Sequence, residues 1–427
     1  MAGVDRPAVT RGRAAVEAVW RIESARLVGA LARVTGDFAL AEDLAQEALA
    51  EALVAWPRNG VPRTPAAWLM TVGKRRAIDH FRRQSVLSDR YAGMARGLTD
   101  TSAPDEPLWD PDQIDDDVLA LIFIACHPTL SRESSVALTL RVVGGLGSDE
   151  IARAFLVPTA TVQARITRAK KTLAAARVPF EVPPPSERGE RLSQVLAVLY
   201  VIFTEGSTAT SGTSLLRTDL AGEAIRLTRV LAQLMPREAE VSGLLALMEL
   251  TASRFPARVD ATGHPVLLDK QDRRRWDRAA VRRGRAALAR AANLGPGLGA
   301  YGLQAAIAEC HAVARTVADT DWERIVVLYE ALGRLAPSPV VELNRAVAVS
   351  MAEGPATALR IVDRLAEEGS LQHSHLLPTV RAELLARLGR TDEARGETEL
   401  ALRLCGNEAE QAVLRDKLAT LDQPTGP

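Results

Sequence analysis

Aromatic residues are scarce in this chain, at 4% of its 427 positions, and cysteines number three. With Ala, Leu and Arg dominant, the composition is that of helix formers, and an all-α fold is expected. Cys126, Cys310 and Cys405 lie far apart without CxxC spacing, which excludes a zinc framework and suits a reducing compartment. No uninterrupted apolar run approaches the roughly 18 residues of a membrane helix. Met1 to Arg13 is polar and basic, without the apolar core of a signal peptide, so no membrane partner and a cytoplasmic location are expected. Lys plus Arg and Asp plus Glu balance at 53 each, so any nucleic-acid contact must come from local patches.

Enzymatic signatures are missing too. There is no Walker loop, GxSxG, HExxH or dinucleotide-binding glycine pattern, so no catalytic residue and no cofactor is expected. Cys126-His127 and Cys310-His311 are adjacent pairs whose side chains point about 100° apart on a helix, which makes them packing residues. His373 and His375 have no further ligand nearby in sequence, and no metal is expected.

What is present is a stretch, Ser131 to Phe180, that breaks into three short helices. Ser131, Ser148 and Thr159 are the expected caps. Val136, Leu140 and Val143 face inward on the first helix, before Gly144-Gly145 end it; Ile151, Ala152 and Phe155 do so on the second. From Thr159 to Arg177 every charged residue is positive. This is the form of a helix-turn-helix whose last helix approaches DNA. Thr159, Thr161, Gln163, Arg165 and Arg168 occupy the end that reaches the groove, where Gln and Arg read adenine and guanine edges. Lys170 and Lys171 lie farther along and are expected against phosphate.

Earlier in the chain the periodicity predicts three helices. The first spans about 14–35, ended by Gly36. The second spans about 38–56, with Asp37 as its cap, an apolar stripe through Ala41, Leu44, Ala45, Ala48, Ala52 and Trp56, and an acidic opposite face. A loop from Pro57 to Arg63 follows. The third helix carries Leu69, Gly73, Ala77 and Phe81 inward and a basic face outward, where Asp79 can pair with Arg75 one turn back.

The run GDFALAEDLAQEALAEAL, the Pro-rich loop and PAAWLMTVGKRRAIDHFRR resemble region 2 of an extracytoplasmic-function sigma factor of bacterial RNA polymerase, and IARAFLVPTATVQARITRAKK resembles its region 4. The resemblance implies an alternative-sigma initiation factor that binds core polymerase, recognises −35 and −10 promoter elements and promotes DNA opening, without being an enzyme. Asp43, Gln46 and Glu47 match positions that dock on the coiled coil of the largest polymerase subunit. Arg58, Asn59 and Arg63 fall in the loop that captures a flipped −10 base. Trp68, Lys74, Arg75, Arg76, Arg82 and Arg83 belong to the helix that holds the opening strand. The recognition helix from Thr159 to Lys171 reads the −35 element. A stand-alone helix-turn-helix regulator with a tetratricopeptide-like (TPR-like) sensor is the alternative; it has no need of a polymerase-docking helix.

The expected division is 14–84 for region 2, 85–114 for an acidic linker, 115–180 for region 4 and 187–427 for a helical extension. In the linker, Lys and Arg are absent from Gly97 to Ser131. In the extension, Ala346, Gly354 and Ala358 recur as Ala382, Gly389 and Ala394, a period of 35 to 36 that resembles a TPR-like α-solenoid. Such helix pairs form a groove for a protein or peptide ligand. The block around Phe203, Thr204, Glu205 and Gly206 resembles the start of the regulatory extension in the TPR-bearing sigma subgroup, and is expected to contact the DNA-binding half.

Overall fold

A computed structural model describes residues 6–85, 111–155, 157–207, 217–260, 266–406 and 408–421. Among them the regular structure is eighteen α-helices and three short 3-10 turns, with no β-strand. The chain divides into two compact units, residues 1–201 and 202–427. Most of the expected linker, from 86 to 110, lies outside the described residues.

In the first unit, α1 (Arg6–Thr35) pairs with α2 (Phe38–Asn59). The Asp37 carboxylate accepts from the amides of Ala39 and Leu40 at 2.8 and 3.1 Å, satisfying two of the free donors at the start of α2. Leu31 and Ala32 on α1 and Ala41, Ala45, Ala48 and Ala52 on α2 are all fully buried, and the small side chains permit close approach. Helix α2 continues through Pro57 to Asn59, past the boundary expected from the proline. One proline in a last turn costs one ladder donor; the stop comes from Gly60, at φ 83°, whose amide donates to the Trp56 carbonyl at 3.0 Å. In α3 (Pro65–Ser85), Leu69, Ala77 and Phe81 are buried as expected. A Cβ on Gly73 would come within 3.0 Å of Leu31 Cδ1, so the glycine sets how closely α3 meets α1.

Helix α4 (Pro111–Ala125) starts earlier than expected, and its unbroken apolar end from Val118 to Ala125 is buried. It packs on α1 beside Gly29, where Asp117 accepts from Arg33 Nε at 3.1 Å. Helices α5 (Arg132–Val142), α6 (Ser148–Phe155) and α7 (Thr159–Ala175) complete the helix-turn-helix. Ser131 caps α5, accepting from Ser134 N at 3.3 Å. The other two expected caps differ. Ser148 is already helical, and Glu150 reaches back to accept from Gly147 N at 2.7 Å. Thr159 is the first residue of α7, and Pro158 stands at the cap position without a side-chain bond. The division between the units falls inside α8 (Pro185–Ser207), later than the expected start at 187. One reason is Arg191, whose Nη2 donates to the Phe123 carbonyl at 3.1 Å and ties the early turns of α8 to α4.

The second unit continues with α9 (Thr218–Leu234), α10 (Ala239–Ala252), α11 (Arg278–Leu294), α12 (Ala300–Val313) and α13 (Trp322–Leu335). Glu249, 2% exposed, joins three of these helices: it accepts from Arg229 Nε and Arg283 Nε, both at 3.0 Å. The run from Leu268 to Arg285 is two 3-10 turns followed by α11. Asp272 accepts from Arg274 N and Asp277 from Ala279 N, and each side-chain cap restarts the helix. Arg273 is thereby turned inward, donating to the carbonyls of His311 and Ala314 at 2.8 Å.

The unit ends in the helices α14 (Pro339–Ala352), α15 (Pro355–Glu367), α16 (Leu376–Arg387), α17 (Thr391–Leu404) and α18 (Glu408–Leu421). Gly354 and Gly389 both hold positive φ, 103° and 77°, at matching turns. Ala346, Ala358, Ala382 and Ala394 are all buried where the paired helices meet.

His311 on α12 gives this unit a pH dependence. Its ring lies edge-on to Trp322 at 5.2 Å, and burial together with Arg254 and Arg273 pushes its pKa down to about 4. A histidine kept neutral in the fold but free to protonate when unfolded loses stability as pH falls from its unfolded pKa toward its folded one. Between pH 7 and 5 this amounts to about 2 kcal/mol. Unfolding curves of the wild type and of His311→Phe, taken at both pH values, should differ by that loss. Equal losses in the two proteins would rule the histidine out as the cause.

Candidate nucleic-acid interface

Two basic surfaces and one acidic surface belong to the first unit. Arg58 and Asn59, at the end of α2, and Arg63, just before α3, are all exposed. Trp68 is half-buried, its ring edge-on to Trp56 with centroids 5.5 Å apart, so its remaining face is held in one orientation. On α3, Lys74 is half-buried, and burial, then Arg33, lowers its pKa. Arg75 donates to Glu51 at 2.6 Å and Arg76 at 2.9 Å. Glu51 on α2, rather than the expected Asp79, is therefore the ion-pair partner of Arg75, and the pair with Arg75, then Arg76, holds the Glu51 carboxyl below its ordinary range. Arg82 and Arg83 are exposed. These residues share the α2–α3 end of the unit, and chemically they offer guanidinium and ammonium groups beside an oriented indole. Arginines neutralise phosphate, and an aromatic face accepts a stacked base.

The second basic surface is α7. Thr159, Gln163, Arg168 and Lys171 are exposed, and Thr161 and Arg165 half-exposed. Among the described residues none of the six forms an ion pair or a side-chain hydrogen bond. Val162, Ile166, Ala169 and Leu173 form the buried stripe that sets which face looks outward.

Lys170 has a different placement from the one expected. It is 17% exposed and pairs with Glu42 and, at 2.8 Å, with Asp43 of α2. Burial opposes its charge, but the two carboxylates more than offset this and raise its pKa. Glu42 is 4% exposed and also accepts from Arg141 Nε of α5 at 3.3 Å. Two further contacts join α1 to α6 and to the turn before it: Arg21 pairs with Glu150 at 2.7 Å, and the Gly145 turn, at φ 70°, lies so close to α1 that a Cβ there would be 2.6 Å from Ser24 Oγ. Lys170 is thus committed to protein carboxylates instead of facing solvent as a phosphate contact. Of the three expected docking residues, Asp43 is held by Lys170, Gln46 is half-buried, and Glu47 is exposed, 3.7 Å from Arg76 Nε. Sequence reading missed Glu42, Arg141, Arg21 and Glu150. One signal was available for Glu42: it sits inside the apolar stripe, between Ala41 and Leu44.

The block from Phe203 to Gly206 finds partners inside the second unit. Phe203, 2% exposed, stacks on Phe255 at 6.3 Å. Glu205 pairs with Arg217 at 3.5 Å, the Gly206 carbonyl accepts from Arg217 N at 2.8 Å, and the Thr204 carbonyl accepts from Ser207 Oγ at 3.3 Å.

An all-helical chain that carries these two basic surfaces can be compared with known families. Residues 21–86 match Sigma-70 region 2, residues 120–173 match Sigma-70 region 4, and residues 191–292 match a family of unknown function, DUF6596. The probable ECF RNA polymerase sigma factor SigI of Mycobacterium tuberculosis (strains CDC 1551 / Oshkosh and ATCC 25618 / H37Rv) is 28% identical over 176 residues, 40% of this chain and 59% of that one. The region 2 and region 4 matches support an extracytoplasmic-function sigma factor. The uncharacterized protein R00370 of Rhizobium meliloti (strain 1021) is 45% identical over 401 residues, 92% of each chain. The chain belongs to one family with that protein. No helix among the described residues is long and apolar enough to cross a membrane.

Proposed function

We propose that the protein is an alternative-sigma transcription initiation factor. It docks on core RNA polymerase through Asp43, Gln46 and Glu47 and reads −35 DNA with the outward end of α7. It engages −10 DNA with Arg58, Asn59, Arg63, Trp68 and the basic residues of α3. The observation that carries this reading is the pairing, in one chain, of a region 2 match whose α2 bears an acidic face with a region 4 match whose α7 presents an uncommitted Thr/Gln/Arg surface. A stand-alone helix-turn-helix regulator has no use for the first of these. We read the helix pairs from α14 to α17 as a TPR-like regulatory extension whose groove takes a protein or peptide; the matched turns at Gly354 and Gly389 support this.

The Lys170 pairs add a mechanistic element. A sigma factor holding Asp43 against its own α7 has part of its docking face covered, so region 4 must leave region 2 as polymerase binds. Opening exchanges protein carboxylates for phosphate around the same lysine.

The test is run-off transcription and co-elution with purified core polymerase. Asp43→Ala with Gln46→Ala should weaken core binding without altering promoter preference, and Arg165→Ala should relax preference at one upstream base, at a cost of about 1–3 kcal/mol. Failure to co-elute with core, together with core-independent binding of promoter duplex, would overturn the sigma reading.

A further inference from the structure

The second unit carries an open cavity of about 310 Å3 between the segment that follows α10 and helices α16 and α18. Such a volume lies at the small end of the range that ligand pockets occupy. Arg254 and Arg258, which follow α10, and Gln271, ahead of α11, form one wall; His375 and Thr379 of α16 and Lys417 of α18 form the other. The remaining lining is largely apolar, with Val266, Leu376 and Leu414 among it.

The polar groups on these walls are unequally partnered. Glu410, the acid on the wall, is engaged by His375 Nε2 at 3.1 Å. Lys417 is held by Glu383 at 2.7 Å, and Arg258 Nη1 donates to the Ser207 carbonyl at 2.6 Å. Gln271 Nε2 donates to the Val266 carbonyl, while its buried Oε1 has no partner. Arg254 is the exception among the cations. Its side chain is half-buried, lies beside the charges of Arg258 and Arg273, and makes no side-chain hydrogen bond or ion pair among the described residues. A half-buried cation beside two others meets like-charge repulsion that a counter-ion relieves.

We propose that this cavity binds a small amphiphilic anion, a carboxylate or phosphate monoester on an apolar body, with Arg254 as its principal counter-charge. The apolar body lies along Leu376 and Leu414, and the head group lies between Arg254 and Arg258. Gln271 Oε1 is placed to accept from a protonated phosphate oxygen. The ligand would bridge residues of the segment matched to the family of unknown function to α18, and so join the two ends of the extension. The neighbouring group of His375, Cys405 and Glu410, whose ligand atoms lie within 4.8 Å of one another, is a competing site for a cation. The excess of arginine on the shared wall favours the anion. This proposal is independent of the sigma reading.

Thermal shift and titration calorimetry on the full-length protein test it, with octanoate, octyl phosphate, octan-1-ol, inorganic phosphate and zinc chloride as probes. Octanoate or octyl phosphate should bind and raise Tm while octan-1-ol does not, and the stronger of the two identifies the head group. Arg254→Gln should lower that affinity by about tenfold or more, as expected for a lost charge-assisted bond. The unliganded variant should melt close to the wild type, because Arg254 makes no side-chain hydrogen bond or ion pair that the substitution would remove. The proposal is overturned if the anions bind wild type and Arg254→Gln equally, if octan-1-ol binds as well as octanoate, or if zinc alone shifts Tm. Should Arg254→Gln fail to fold, the wild-type comparison of octanoate with octan-1-ol decides by the same criterion.

Discussion

Lys170→Glu should release region 4 from region 2 and tighten binding to core polymerase. In the wild type the Lys170 ammonium lies between Glu42, which is 4% exposed, and Asp43. Reversing its sign places three carboxylates together and leaves Glu42 with Arg141 as its remaining cation. Breaking a buried ion pair from one side costs about 3–5 kcal/mol, because the remaining charge stays desolvated. Against an arrangement held by a few such pairs, about 3 kcal/mol corresponds to a roughly hundredfold change in the closed population. Fluorophores introduced through Thr71→Cys on α3 and Ala174→Cys on α7, both exposed positions, should report a longer separation in Lys170→Glu. Affinity for core should rise because Asp43 is freed, while the outward residues of α7 keep their −35 preference. Lys171→Glu is the control: the same change of charge on an exposed neighbour should leave the separation unaltered. An unchanged separation and unchanged core affinity in Lys170→Glu would mean that the pair does not hold the two regions together.

How much of this was legible in the sequence follows from what sequence patterns encode. The stripes of α2 and α3 repeat every three or four residues, so Ala41, Ala45, Ala48, Leu69, Ala77 and Phe81 were placed inside correctly. The helical character of the extension was readable for the same reason, and the small residues Ala346, Ala358, Ala382 and Ala394 are buried. The boundaries were harder. Pro57 looked like a stop, but a helix tolerates proline in a last turn, and the glycine three residues on ends it. Thr159 looked like a cap, but Pro158 takes that position. Least legible were the contacts between distant segments. Lys170 belongs to a run of positive residues on a recognition helix, and nothing local distinguishes it from Lys171. Only the fold brings it to an acid 128 residues earlier in the chain. The same holds for Arg254, whose lack of a partner becomes visible once α16 and α18 form the wall facing it.

Gly206→Ala should be among the most damaging single-methyl additions in the second unit, and its outcome decides what the block at the end of α8 does. An ideal Cβ at Gly206 would stand 2.3 Å from Ala221 N and 2.8 Å from Ala221 Cα, so the obstruction is the backbone of α9 and not a side chain that can rotate away. The backbone has little room to retreat. The Gly206 carbonyl accepts from Arg217 N at 2.8 Å, and three residues earlier Phe203 is stacked against Phe255. Overpacking a well-filled site costs about 1–3 kcal/mol, and a clash with main chain falls at or above the upper end. Gly222→Ala, one residue beyond Ala221, provides the contrast. Gly222 is exposed within α9 with nothing within 4 Å of its Cβ position, so alanine there should stabilise by up to about 1 kcal/mol through helix propensity alone. Denaturant unfolding of the pair should therefore show shifts of opposite sign from the same chemical change in two neighbouring helices. If Gly206→Ala instead unfolds like the wild type but transcribes from the wrong promoters or escapes control, then the close approach of α8 to α9 is not a packing requirement. The regulatory role expected for Phe203 to Gly206 would then be the better account of why a glycine stands there.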